Sequence, residues 1–315
     1  MAYAFVFPGQ GSQAVGMGKA LAMSSLAARG VFEEVDAALS QKLSTLMWEG
    51  PVAELTLTEN AQPALLAVSM AVMRVFEAEH GIILKHHAKF VAGHSLGEYS
   101  ALAAAGTFSL ADTARLLKIR GQAMQAAVPV GQGAMAALLG LDFATASAVA
   151  AEAAQGDVCQ AANDNSDGQV VISGIKAAVD RACEIAKAKG AKRAILLPVS
   201  APFHCALMQP AAEAMADALA NVEMKFPVVP LISNVVAGPL TDPAIIRARL
   251  VEQVTGTVRW RESVAYMAAE DVHVFVEAGA GKVLTGLAKK NAPGASAMAA
   301  GSTEEIAAVA AQMKA

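Results

Sequence analysis

The sequence has few cysteines and few aromatic residues, and each shortage excludes a class of protein. Its three cysteines, Cys159, Cys183 and Cys205, are too sparse for a disulfide framework, so we expect reduced thiols. No H-E-x-x-H motif and no paired C-x-x-C motif is present, so we expect no metal site and no bound cofactor. Aromatic residues make up 5% of the chain, whereas 55% of it is apolar and much of that is alanine. This composition favours closely packed helices over an aromatic-rich β-sandwich.

Long apolar runs and clusters of basic residues are also missing. No run of about 18 uninterrupted apolar residues occurs, which is roughly the length that a membrane-spanning helix needs. The apolar segment 1–7 runs directly into Pro8-Gly9 and has no basic residues before it, unlike a signal peptide. The net charge is −4 and the lysines and arginines are scattered, which argues against nucleic-acid binding. We therefore expect a cytoplasmic protein that binds neither membranes nor nucleic acid, and a monomer.

Short apolar runs alternate with helical patterns over most of the chain. Residues 3–7 and 89–93 are predicted strands, while 61–79, with Pro63 in its first turn, is a predicted helix. This alternation predicts an α/β fold with a mainly parallel sheet. From about 128 to 198 the predicted order becomes β-α-β-β-α-β, with a polar turn at 163–168, which is the ferredoxin-like pattern. We predict a large subdomain over 1–127 and 199–315, and a small ferredoxin-like subdomain, 128–198, inserted into it.

The strongest local motif is Gly93-His94-Ser95-Leu96-Gly97, which matches G-x-S-x-G between a predicted strand and a predicted helix. That context is typical of a nucleophile elbow, in which the tight turn needs glycine and presents the serine hydroxyl at the helix N-terminus. The motif predicts Ser95 as a nucleophile and an α/β-hydrolase-like core. The alternative is an ordinary Ser-Gly turn, because so short a pattern also occurs by chance.

A nucleophilic serine needs a base, and the sequence offers six histidines. His204 follows the rigid segment Ser200-Ala201-Pro202-Phe203, where the chain returns to the large subdomain, and we favour it over His273 in a predicted strand. His94 adjoins Ser95 but is expected to point away from it. The others, His80, His86 and His87, are expected at helix ends or on the surface.

Two further features are consistent with binding a negatively charged group. Arg120 lies on the apolar face of the predicted helix 109–127, together with Leu116, Leu117 and Met124. An arginine in that position requires an anionic partner or access to water, so a ligand carboxylate and a structural ion pair both remain open. The glycine-rich loop after the first strand, Pro8 to Gln13, has backbone N–H groups suited to an oxyanion, although a plain turn is the alternative.

Together these segments resemble the malonyl-CoA:acyl carrier protein transacylases of type II fatty acid synthesis, and also the acyltransferase domains of polyketide and type I fatty acid synthases. The likeness runs nearly end to end, as in a discrete enzyme. The segments that carry it are FVFPGQGSQ (5–13), GHSLGEYSAL (93–102), RG (120–121), NDNSDGQVVISG (163–174), VSAPFH (199–204), EQVTGTVRW (252–260) and EAGAGKVLTGL (277–287).

The resemblance implies a role for each motif. Ser95 is expected to be the nucleophile and His204 its base, with the backbone carbonyl of Gln253 in the third position of the triad. The N–H groups of Gln10 and Leu96 are expected to form the oxyanion hole. The substrate-binding residues implied are Arg120, which pairs with the malonyl carboxylate, together with Met124, Phe203 and Asn165. Malonyl-CoA is the implied donor, and the phosphopantetheine thiol of acyl carrier protein is the implied acceptor.

Three other functions share some of these features. A serine thioesterase or lipase has the same elbow but usually supplies a carboxylate to its histidine. An acyltransferase that serves polyketide synthesis or malonate decarboxylation would differ little in sequence. A non-catalytic module that docks the carrier protein would tolerate loss of Ser95 or His204, and both residues are present.

Overall fold

A computed structural model describes all 315 residues and contains two β-sheets. The first sheet has six strands in the order β10-β9-β1-β2-β7-β8, and the second has four in the order β4-β5-β3-β6. The strands are β1 (Ala2–Phe7), β2 (Ala88–Gly93), β3 (Gly133–Leu139), β4 (Cys159–Ser166), β5 (Gln169–Ile175), β6 (Arg193–Leu196), β7 (Leu231–Ile232), β8 (Pro239–Leu240), β9 (Val272–Ala278) and β10 (Ser296–Ala300).

Fifteen α-helices surround these sheets, with one 3₁₀ turn at Ala206–Met208. They are α1 (Lys19–Ser24), α2 (Leu26–Leu39), α3 (Leu43–Glu49), α4 (Val52–Thr56), α5 (Thr58–His80), α6 (Leu84–His87), α7 (Gly97–Ala104), α8 (Leu110–Ala127), α9 (Phe143–Ala154), α10 (Lys176–Ala188), α11 (Gln209–Ala220), α12 (Pro243–Thr255), α13 (Trp260–Ala269), α14 (Val283–Asn291) and α15 (Thr303–Lys314).

The first sheet is parallel except for β8, which confirms the predicted α/β fold with a mainly parallel sheet. Successive side chains of a strand point to opposite faces, so β1 serves two cores. Phe5 and Phe7 belong to the larger core with α5 and α8, whereas Ala4 and Val6 pack with α13 and α14 on the other face. Because both faces are covered, β1 (AYAFVF) carries no charged residue and is apolar along its length.

The second sheet is antiparallel, and the elements from β3 to β6 follow the predicted order β-α-β-β-α-β. Helices α9 and α10 pack on it and form a separate apolar core. The predicted polar turn at 163–168 is shorter than expected, because β4 extends to Ser166 and only Asp167 and Gly168 separate it from β5. The polar side chains there lie on a strand that faces the first sheet's helices, with Asp164 buried against Arg261 at 2.8 Å.

Helix α5 is the central helix of the larger core. It begins at Thr58, so Pro63 lies inside the helix and not in its first turn as predicted. Length and composition alone would allow α5 to cross a membrane, but 83% of its most apolar window is buried inside the protein. Its apolar character is therefore explained by packing in the core.

Helices α5 and α8 lie very close together at Gly121. A Cβ atom at Gly121 would lie 2.5 Å from the Cα atom of Glu59 and 2.7 Å from the carbonyl oxygen of Thr58. Neither backbone atom can move without displacing α5. The glycine therefore sets the distance between these helices, and with it the depth of the neighbouring Arg120 in the core.

We expect Gly121→Ala to destabilise the protein, because the added methyl group overlaps backbone. Overpacking of this kind costs about 1–3 kcal/mol, and the midpoint of thermal unfolding should fall by several degrees. Gly30→Ala in α2 is the matched control, since nothing lies within 4 Å of the Cβ position there. Equal stabilities of the two variants would contradict the close approach of α5 and α8.

Candidate active site

Ser95 lies in a sharp turn between β2 and α7, as the elbow motif predicts. Its φ is +54°, in the left-handed region that a residue with a Cβ rarely adopts. Two glycines allow the turn to close: a Cβ at Gly93 would lie 1.9 Å from the carbonyl carbon of Gly97, and one at Gly97 would lie 2.2 Å from the carbonyl oxygen of Phe7. The strained conformation places the Ser95 hydroxyl at the N-terminus of α7.

Asn234 fixes the elbow from the neighbouring strand. It follows β7, the strand next to β2, and its side-chain Oδ1 accepts the Ser95 N–H at 2.8 Å while its Nδ2 donates to the Gly93 carbonyl at 2.7 Å. One fully buried amide therefore satisfies the backbone groups on both sides of His94. These two bonds offset part of the strain at Ser95.

His204 is the histidine that the fold brings to Ser95. Its Nε2 lies 2.7 Å from Ser95 Oγ, and its Nδ1 lies 2.9 Å from the Gln253 carbonyl and 3.2 Å from the Gly256 carbonyl. Because a carbonyl only accepts, Nδ1 carries the proton and Nε2 is left as an acceptor for the serine hydroxyl. Burial, together with the positive charge of Arg120, lowers the pKa of His204 to about 3.

Two backbone N–H groups belong to residues near Ser95: Leu96 follows it in the chain, and Gln10 lines the same cavity. Neither the N–H of Gln10 nor that of Leu96 donates to a protein acceptor. The Gln10 side chain is itself anchored, because its Oε1 accepts a hydrogen bond of 2.8 Å from the Thr58 hydroxyl. The glycine-rich loop and the start of α7 thus present free donors next to Ser95, which is the arrangement an oxyanion hole requires.

Arg120 is buried directly beside Ser95. It is 1% exposed, and its two terminal nitrogens donate to Gln62 Oε1 at 2.8 Å, to Gln253 Oε1 at 2.8 Å and to Ser95 Oγ at 3.2 Å. The guanidinium also lies over the Tyr99 ring at 5.8 Å. None of its hydrogen-bond acceptors is a carboxylate, so the structural ion pair that the sequence left open is not formed. A negatively charged ligand group next to Ser95 would supply the missing partner.

A cavity of about 470 Å³ opens above Ser95, between the two sheets. Its walls come from both parts of the chain and include Ser95, His204 and Phe203 on one side and Met135, Asn163 and the segment 197–199 on the other. Met124 does not line it but is buried behind Arg120, where its sulfur accepts a hydrogen bond of 3.7 Å from Gln62 Nε2. The cavity has a volume in the range of small-molecule binding sites.

Asn165 lies beside the cavity and contacts a neighbour of the nucleophile. Its Oδ1 is 2.8 Å from His94 Nε2, whose ring packs on Trp260 at 5.6 Å between centroids. His94 therefore points away from Ser95, as expected for consecutive residues of an elbow. His273, the alternative base, is exposed on β9 and makes no side-chain contact with Ser95.

The sequence interpretation missed the polar residues that hold these groups in place. Thr58, Gln62, Glu98 and Asn234 are all buried and hydrogen-bonded to a predicted site residue or its neighbour. A signal for Asn234 was available, because it follows the short apolar segment 228–232, and the residues after parallel strands meet at the same edge of the sheet. Thr58 and Gln62 lie in an apolar helix and give no such signal.

The chain resembles known proteins along almost its entire length. Residues 4–310 match the family model of the acyl transferase domain. The malonyl CoA-acyl carrier protein transacylase of Bacillus subtilis (strain 168) is 50% identical over 91% of this chain and 89% of that relative. The protein of the same description from Escherichia coli (strain K12) is 50% identical over 91% of this chain and 92% of its own.

Solved structures give the same result. The acyl-carrier-protein-S-malonyltransferase from Bartonella henselae matches with a TM-score of 0.97 and 58% identity, over 100% of both chains. A malonyl-transacylase solved in complex with its type II PKS acyl-carrier protein matches with a TM-score of 0.96 and 42% identity, over 99% of this chain and 100% of that one.

The low pKa of His204 predicts how Ser95 reacts with an uncharged serine reagent such as phenylmethylsulfonyl fluoride. The base must be neutral, and a histidine whose pKa is about 3 stays neutral from pH 8 down to pH 5. We expect a nearly constant rate of Ser95 labelling over that range, measured by intact mass, and no labelling in His204→Asn. A histidine with the ordinary pKa of about 6.5 would lose roughly 30-fold by pH 5, so a drop of that size would contradict the buried, neutral base.

Proposed function

Because the chain belongs to the acyl transferase domain family, among the malonyl-CoA:acyl carrier protein transacylases, we propose that its Ser95 site moves a malonyl group from malonyl-CoA to acyl carrier protein. The observation that carries the proposal is the position of Ser95 Oγ, which lies 2.7 Å from a neutral base and 3.2 Å from a buried guanidinium. The first group activates the hydroxyl, and the second selects an acyl group that carries a negative charge.

The first half of the reaction acylates the enzyme. His204 Nε2 takes the proton as Ser95 Oγ attacks the malonyl thioester carbon, and the carbonyl of Gln253 holds the imidazole through Nδ1. The developing oxyanion is stabilised by the N–H groups of Gln10 and Leu96. The carbon–sulfur bond then breaks, the coenzyme A thiolate leaves with the proton from His204, and malonyl-Ser95 remains.

The second half reverses these steps with a different thiol. The phosphopantetheine thiol of acyl carrier protein loses its proton to His204 and attacks the ester carbonyl, the oxyanion forms again at the same donors, and Ser95 Oγ recovers the proton as it leaves. Donor and acceptor thus use the site in turn, which predicts ping-pong kinetics. The products supply extender units for fatty acid synthesis.

The substrate-binding roles follow from the positions of the side chains. Arg120 would bind the malonyl carboxylate through the nitrogen that now contacts Ser95 Oγ. Phe203 would limit the space at the malonyl α-carbon from the cavity wall, while Met124 would support Arg120 through Gln62. Asn165 would contribute through His94, with which it is hydrogen-bonded.

We also propose the finer organisation of the molecule. The large subdomain, residues 1–127 and 199–315, would be an α/β-hydrolase-like core, and residues 128–198 a ferredoxin-like subdomain that covers the cavity. In keeping with the predicted cytoplasmic location, the enzyme would act as a monomer on a diffusing carrier protein. It would need no bound cofactor, because the phosphopantetheine belongs to the partner.

The function is tested by offering the enzyme malonyl-CoA and acetyl-CoA together with phosphopantetheine-bearing acyl carrier protein. We expect malonyl-carrier protein as the main product by mass spectrometry. We expect Arg120→Ala to lower the malonyl/acetyl product ratio by about 100-fold, because a charged hydrogen-bonding pair worth about 3 kcal/mol is lost.

Arg115→Ala is the matched control, because Arg115 lies on the same helix but is paired with Asp112 at the surface. Free malonate with unmodified carrier protein would instead identify a hydrolase. An unchanged ratio in Arg120→Ala would contradict the carboxylate-binding role of Arg120.

A further inference from the structure

We propose that Glu98 is a positioning residue for malonyl selection, because it fixes the side-chain amide of Gln253 and, through that amide, the guanidinium of Arg120. The inference rests on the proposed role of Arg120 in binding the malonyl carboxylate. It assigns a task to a buried carboxylate that takes no part in the acyl-transfer steps themselves.

Glu98 lies in the first turn of α7, three residues after the nucleophile, and is 1% exposed. Its Oε1 accepts the backbone N–H of Asn234 at 3.1 Å, and its Oε2 accepts Gln253 Nε2 at 2.6 Å. The carboxylate thus bridges the loop after β7 and the last turn of α12. Burial raises the pKa of Glu98 to about 7, so above that pH the group is an anion that only accepts hydrogen bonds.

The amide of Gln253 lies between this carboxylate and Arg120. Gln253 Nε2 donates to Glu98 Oε2 and also, at 2.8 Å, to the Ser95 carbonyl, while Gln253 Oε1 accepts from Arg120 at 2.8 Å. An amide can rotate by 180° and exchange its oxygen and nitrogen. Here rotation is blocked, because it would bring the nitrogen against a guanidinium that only donates and the oxygen against a carboxylate that only accepts.

The same arrangement supplies a counter-charge to Arg120. No carboxylate lies within ion-pair distance of the guanidinium, and its direct acceptors are the uncharged Gln62, Gln253 and Ser95. An isolated buried cation is very costly. Burial lowers the pKa of Arg120. Glu98 lies one amide away, and its negative charge acts in the opposite direction by favouring the charged guanidinium. Because it does not touch the guanidinium, the nitrogens next to Ser95 stay available for the substrate.

The hydrogen bonds from Glu98 through the Gln253 amide to Arg120 form a relay. The position of Arg120 depends on this relay more than the position of His204 does. The carbonyl that orients His204 belongs to the backbone of α12 and is held by the helix. The Gln253 side chain, by contrast, is held at its nitrogen by Glu98 and by the Ser95 carbonyl only. Loss of the carboxylate should therefore affect the binding of a charged acyl group more than the acylation chemistry.

The test compares Glu98→Gln with the matched control Glu184→Gln. The control makes the same chemical change on an exposed helix face. Transfer of malonyl and acetyl groups to carrier protein is measured at pH 8, where the Glu98 carboxylate is ionised. We expect Glu98→Gln to lower the malonyl/acetyl ratio of kcat/KM at least tenfold, with acetyl transfer within about threefold of the unaltered protein. The control should leave both rates unchanged.

Other outcomes overturn the inference. If Glu98 is purely structural, Glu98→Gln will slow malonyl and acetyl transfer by the same factor. If neither rate changes, Arg120 does not need Glu98 to hold its position. Should Glu98→Gln fail to fold, as judged by circular dichroism, Gln253→Met interrupts the same relay from the other side and must lower the ratio in the same way.

Arg120→Ala separates this inference from the proposed function. If Arg120→Ala leaves the ratio unchanged, the carboxylate-binding role itself is wrong. If Arg120→Ala lowers the ratio but Glu98→Gln does not, only the relay is wrong.

Discussion

The burial of one positive charge beside the nucleophile determines much of the structure around it. Arg120 lies 1% exposed in the larger core, where an isolated cation would be very costly. The surrounding residues reduce that cost with neutral hydrogen-bond acceptors and with the Glu98 carboxylate, which acts through the Gln253 amide. The guanidinium is therefore stabilised but has no direct ion pair. We propose that this site receives an anion, so that catalysis and selection depend on the same few atoms next to Ser95 Oγ.

The parallel sheet makes this arrangement possible. Strands β1, β2 and β7 are neighbours, and the residues that follow their carboxyl ends meet at one edge: Gln10 after β1, Ser95 after β2 and Asn234 after β7. Each strand is therefore followed by one component of the proposed site: the oxyanion donor, the nucleophile or the amide that fixes the elbow. Helices α5, α7, α8 and α12 then supply the polar network beneath them, and the second sheet closes the cavity from above.

The sequence predicted those parts of the site that have a local signature. Ser95 is marked by an elbow whose glycines are needed for backbone contacts of about 2 Å, and the alternating strand and helix patterns predicted the parallel sheet. The sequence did not indicate strands β8 and β10. Strand β8 has only two residues, and β10 is a weakly apolar edge strand, so neither shows a clear periodicity. Position along the chain favoured His204 over His273 as the base but did not decide between them. The contact of His204 with α12 exists only in the folded structure, which brings α12 and the 199–204 segment together.

The polar network had no such signature. Gln62 and Thr58 lie within an apolar helical pattern, and Glu98 follows the motif at a position where an exposed first-turn glutamate is equally ordinary. The hydrogen-bond partners of Gln62, Thr58 and Glu98 lie 58, 48 and 155 residues away along the chain. Pairings of that sequence separation depend on tertiary packing, which periodicity and spacing do not reveal.

The central claim is that malonyl transfer passes through an ester on Ser95. The most direct measurement is the intact mass of the protein mixed briefly with malonyl-CoA, alongside Ser95→Ala, followed by addition of phosphopantetheine-bearing carrier protein. We expect one malonyl adduct on the unaltered protein, none on Ser95→Ala, and discharge of the adduct onto the carrier protein. An adduct that persists in Ser95→Ala, or carrier protein loaded by that variant at the normal rate, would contradict it.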